Sequence, residues 1–111
     1  MHSITDKAEV GIDFPDKAYS GGFGRDSSFE VRAEADGMLL RLVRGSGERR
    51  VAEIHLHHFL LAGVVEDLAA ALAARPPLDE AHRMPLLRAA QQLAAVLDRG
   101  PASPAGDSAT A

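Results

Sequence analysis

The chain has 111 residues with 12 Lys and Arg against 16 Asp and Glu, a formal net charge of −4, so it lacks the overall basic excess that plain attachment to a phosphate backbone needs. It contains no cysteine, which excludes disulfides, thiolate catalysis and Cys-ligated zinc and suits a reducing compartment. With one Tyr, four Phe and no Trp, a core must be assembled from Leu, Val and Ala.

A first strand is expected at residues 9–14, where Val10, Ile12 and Phe14 alternate with polar or small residues until Pro15 stops the run. Residues 15–27 read as a loop. A second strand at 28–35 places Phe29, Val31, Ala33 and Ala35 on one face and Glu30, Arg32 and Glu34 on the other. Asp36-Gly37 suits a two-residue type I′ turn, whose central positions both need positive φ. That turn sets Ala35 opposite Met38, Ala33 opposite Leu40, Val31 opposite Leu42, and Arg32 opposite Arg41. A third strand at 38–44 then leads through a five-residue loop at 45–49 to a fourth at 50–56. This loop length pairs Leu42 with Ala52, Leu40 with Ile54, Met38 with Leu56, Arg41 with Glu53 and Leu39 with His55, and it keeps the apolar face intact.

After Leu56 the apolar period changes from two to about 3.6, and Leu61, Val64, Val65, Leu68 and Leu72 mark a helix over 59–74 that Pro76-Pro77 ends. A second helix is expected at 85–99, with Pro85 in its first turn and Gly100-Pro101 after its last. Asp79-Glu80 reads as a capped turn leading into it. The resulting class is α+β: an antiparallel meander of three to four strands followed by two helices packed on one sheet face, as one domain over 1–99. Residues 100–111, poor in bulky apolar groups, are expected to be a disordered tail.

The sheet face left over carries Arg32, Leu39, Arg41, Val43, Val51, Glu53 and His55, a mixed surface that suits a partner. Glu53, His55 and His57 stand at i, i+2 and i+4, so an extended strand turns all three to one side, and two imidazoles with a carboxylate form a conceivable divalent-metal set. Like charges at Arg32 and Arg41 call for compensation, either from Glu30, Glu34 and Glu53 or from an anionic partner. The glycine-rich run at 20–25 leads into a strand rather than a helix and so lacks the setting of a phosphate cradle. No G-x-S-x-G elbow supports a serine hydrolase, and no catalytic residue is assigned.

Three functions follow as expectations. The first is a small non-enzymatic interaction or regulatory protein, a homodimer that also holds an unidentified protein through the sheet face or the helix pair. The second is a single-stranded nucleic-acid-binding module using the Arg-containing face. Its strand-then-helix order resembles that of Pur-alpha-type domains, by element order alone. The third is a metal-binding protein or enzyme centred on Glu53, His55 and His57. No cofactor is otherwise implied. No run approaches the length of about 18 apolar residues that a membrane span needs, and the first residues have no apolar export core, so no membrane partner and a cytoplasmic location are expected.

Overall fold

A computed structural model describes residues 1–45 and 47–101. Among the described residues six strands precede two helices: β1 (His2–Ser3), β2 (Ala8–Phe14), β3 (Lys17–Phe23), β4 (Ser27–Glu34), β5 (Gly37–Arg44), β6 (Arg50–His57), α1 (His58–Ala73) and α2 (Glu80–Leu97). The class is therefore the α+β class expected, with all its pairings antiparallel. Two compact units divide the chain, Met1–Leu68 and Ala69–Ala111.

In the first unit, four strands form a sheet in the order β1-β4-β5-β6, and β2 and β3 form a separate hairpin. The stretch expected as a loop after Pro15 is thus mostly a strand. Pro15-Asp16 make a two-residue connection between the paired Phe14 and Lys17, and the ladder runs back to Ala8 opposite Phe23. Proline's fixed φ suits the first turn position. The sequence Lys17–Phe23 is weak in β-forming residues, since Gly21 and Gly22 add none, and its extended form is held by pairing with β2.

The core lies between this hairpin and the sheet. Ile4, Phe23 and Leu42 are buried together, with Ala8, Val10, Phe29, Leu40 and Ala52 packed around them. The apolar face of β4, β5 and β6 is the one expected to be buried, but the cover found over it comes from the N-terminal segment and the hairpin. The hairpin carries Phe23 against Leu42, and Ile4, in the segment between β1 and β2, is tied in place by its N–H donating to Ser27 O at 3.0 Å.

The β5-β6 register is the expected one, with Leu42 opposite Ala52, Leu40 opposite Ile54 and Met38 opposite Leu56. The β4-β5 register differs by two residues. Val31 meets Leu40, Ala33 meets Met38, and Glu34 meets Gly37, so the turn is Ala35-Asp36 rather than Asp36-Gly37. Because the shift is two, each side chain keeps its face and only its partner changes. Gly37 is drawn into the ladder for a reason other than positive φ. It lies against β6 so closely that a Cβ would stand 2.7 Å from the Cα of His57 and would overlap the Leu56 carbonyl oxygen.

Neither helix has a buried residue. On α1, Phe59, Leu60, Val64, Val65 and Leu68 are exposed, and on α2 Leu86, Leu87, Leu93, Val96 and Leu97 are exposed. No helix is long and apolar enough to cross a membrane among the described residues.

In α2 the start moves ahead of the expected position. Asp79 is the N-cap, its carbonyl accepts from the N–H groups of His82 and Arg83, and Pro85 falls inside the helix. The pair Asp79-Glu80, expected to cap only a short turn, begins the helix itself. Its last turn closes with Asp98 as C-cap and Gly100 at φ 92°, a left-handed position that glycine takes without a Cβ penalty. The tail expected to be disordered lies, from residue 102 on, outside the described residues.

Candidate functional site

Three strands set the candidate side chains in rows across the sheet. One row is Arg32, Leu39 and His55; the next is Glu30, Arg41 and Glu53; the next is Ser28, Val43 and Val51. A fourth, Glu34, Gly37 and His57, closes the end near the first turn.

This geometry removes the expected repulsion between Arg32 and Arg41. The two-residue shift puts Arg41 between two carboxylates, Glu30 on β4 and Glu53 on β6, and puts Arg32 beside the aliphatic Leu39. Arg41 Nε lies 3.1 Å from Glu53 Oε2. It is shut off from solvent and has no hydrogen-bond acceptor in line, so the contact is an ion pair without a directed hydrogen bond. Arg32 instead turns along its own strand, where Nε donates to Glu30 Oε2 at 3.1 Å. That hydrogen bond, aided by the charge of Arg32, holds the Glu30 carboxyl below its ordinary range and raises the Arg32 guanidinium further. Compensation within the chain is what the structure shows.

Two arginines of the opposite sheet face, Arg44 and Arg50, are paired as well. Arg44 Nε donates to Asp26 Oδ2 at 3.0 Å, and the Ser27 hydroxyl donates to Oδ1 of the same carboxylate at 3.1 Å. The Ser27 hydrogen bond, then Arg44, lower the Asp26 carboxyl. Arg50 Nε lies 3.4 Å from Glu48 Oε2. Arg32, Arg41, Arg44 and Arg50 therefore each face a carboxylate, and a track of free guanidinium groups for a nucleic-acid backbone is not what these four strand positions present.

The three residues grouped as a metal set go to separate partners. Glu53 faces Arg41, His55 Nδ1 lies 3.3 Å from Glu34 Oε1, and His57 Nδ1 lies 3.9 Å from Asp36 Oδ2. Among the described residues no group of three or more His, Cys, Asp or Glu is arranged to hold a metal ion. His82, in the helical part, gives its Nδ1 to Asp79 Oδ1 at 2.6 Å, a contact that lowers the Asp79 carboxyl.

Leu39 was expected on the open face and is instead 5 % exposed, in the row between the long side chains of Arg32 and His55. Val43 is half-buried, and Val51, Glu53, His55 and Arg32 are exposed. The exposed part of this surface is thus Arg32 on β4 together with Val51, Glu53 and His55 on β6.

Two features of the site carry no sequence signal. His58, the first residue of α1, donates its N–H to Asp36 O at 3.1 Å, and its Nε2 lies 3.3 Å from Ala35 O, so it closes both carbonyls of the first turn. A groove of about 570 Å³ lies between the hairpin and β6, lined on one side by Val10, Ile12 and Tyr19 and on the other by Arg50, Ala52 and Ile54. Its walls come from elements far apart in the chain. In comparison with known proteins, the chain matches no family model, no curated protein and no solved structure.

Proposed function

We propose that the protein is a non-enzymatic interaction protein that works as a homodimer, with the apolar sides of its helices as the association surface. The observation that carries this is the exposure of ten large apolar side chains on α1 and α2 while neither helix buries one. In α1 only His58, Glu66 and Asp67 are polar, and a helix apolar nearly all round is one that belongs in a buried setting.

Magnitudes favour a partner. Covering half of a Leu or Val side chain is worth about 1 kcal/mol, so ten such residues on each of two copies represent on the order of 20 kcal/mol. Association costs roughly 4–15 kcal/mol in lost freedom. A second copy is the occupant because two-fold pairing is the commonest closed assembly, and because the helix charges complement each other. Among the described residues, Glu66 and Asp67 on α1 and Arg88 on α2 make no ion pair, and α1 has no basic residue beyond His58.

Light scattering at high micromolar concentration tests the reading. The expected mass is twice 11.8 kDa. A mass of one chain overturns it.

A further inference from the structure

We infer that β6 pairs with β6 of a second copy, antiparallel about a two-fold axis at Ile54, joining two four-stranded sheets into one of eight. The inference goes beyond the helix contact proposed above and rests on a different part of the chain, although it shares with it the existence of a dimer.

β6 is the last strand of its sheet, and its outer edge has no partner strand among the described residues. It is eight residues long, as long as β4 and β5, and contains neither Lys nor Pro. Proteins usually shorten, charge or cover such an edge, because its unpaired N–H and C=O groups form a template for another strand. Here the edge also exposes Val51 and Ile54, at 42 % and 40 %.

The side chains select one register. Opposed residues in an antiparallel pair share a face, so a two-fold pairing of β6 with itself must be centred on a residue. Centred on Glu53, it sets Glu53 against its own copy, a repulsive contact. Centred on His55, it opposes two imidazoles and shortens the overlap. Centred on Ile54, it sets Glu53 opposite His55 of the other copy twice, Ala52 opposite Leu56 twice, and Ile54 opposite itself. One face then carries carboxylate-imidazole pairs and the other is wholly apolar.

The groove beside β6 fits this arrangement. It opens on the face that holds Ala52 and Ile54, beneath Val10, Ile12 and Tyr19 of the hairpin. In the Ile54-centred register the second copy's Ile54 and Leu56 enter from the same face, because a two-fold axis perpendicular to the sheet keeps like faces together. Apolar side chains of the second copy thereby fill an apolar groove of about 570 Å³.

The absence of cysteine makes the register directly readable by introduced thiols. Ile54→Cys is expected to cross-link to itself under mild oxidation, since its own copy stands opposite, within disulfide reach. Val51→Cys alone is expected not to, because two copies of residue 51 lie about 20 Å apart in this register. Mixing Val51→Cys chains with His57→Cys chains is expected to restore a cross-link, and neither site is in the core. If the protein is a dimer by light scattering but Ile54→Cys and the mixed pair both stay uncross-linked, the strand pairing is overturned and the helix dimer stands. If Val51→Cys cross-links to itself as readily as Ile54→Cys, the register is overturned. A single-chain mass overturns both proposals.

Discussion

Gly37 and His57 stand opposite each other where β5 and β6 end, so close that a Cβ on Gly37 would lie 2.7 Å from His57 Cα. Both sides of this contact are backbone, which cannot rotate away as a side chain can. Gly37→Ala is therefore expected to destabilise the fold by roughly 1–3 kcal/mol, the usual range for overpacking. Thermal or urea unfolding checks it. An unchanged midpoint would mean that the strands do not approach this closely.

The same ladder ranks two leucines. Leu42 is 6 % exposed among Ile4 and Phe23, whereas Leu40, two residues earlier on the same face, is only partly buried. Leu42→Ala should cost roughly 2–5 kcal/mol, and Leu40→Ala should cost less. The reverse order in denaturant unfolding would contradict the placement of Ile4 and Phe23 over Leu42.

Glu30 has an electrostatic signature. Arg32 holds its carboxyl below the ordinary value, so the folded state favours the ionised form. For a depressed carboxyl the associated stability is present above the unfolded pKa and is lost as pH falls through the folded one. In a carbon-detected NMR titration Glu30 should titrate below the ordinary value of about 4.3, and Arg32→Gln should bring it back up. A Glu30 midpoint indifferent to Arg32→Gln would show that the contact does not persist in solution.

The helices supply a concentration-dependent expectation. If α1 and α2 are covered by a second copy, Leu68→Asp and Leu93→Asp should each shift the protein toward monomer, and the shift should be seen in sedimentation at micromolar concentration. The cause is that a charge placed at an apolar contact must be desolvated without a partner. Helical circular dichroism should fall along with the dimer fraction, because isolated helices of this length are marginal in water. Unaltered sedimentation for both variants would remove the helix surface from the assembly.

The two registers show how far local chemistry reaches. Between β5 and β6, alternation on both strands and the length of the intervening loop leave one pairing that keeps Leu40, Leu42, Ala52 and Ile54 on a common face, and that pairing is found. Between β4 and β5, alternation alone admits registers two residues apart, since both keep Val31 and Leu40 on the same side. Turn preference pointed to Asp36-Gly37. The turn found is Ala35-Asp36, with Gly37 inside the ladder and close against β6, a strand some twenty residues on. Arg41 thereby came to lie between Glu30 and Glu53, so the ion-pair lattice followed from the tertiary choice.

Sequence by itself determined the α+β class, the apolar face of the strands, both helices to within a few residues except the start of α2, and the positions of Arg41, Glu53, His55 and the rest on one sheet face. These depend on periodicity and on Pro and Gly signals, which act over a few residues. Tertiary structure alone decided that Lys17–Phe23 is a strand, that Ile4 and Phe23 cover Leu42, that Leu39 is buried, and that His55 and His57 turn to Glu34 and Asp36. Each of those depends on side chains many residues apart meeting in space, and a pairing of that kind leaves no period in the chain.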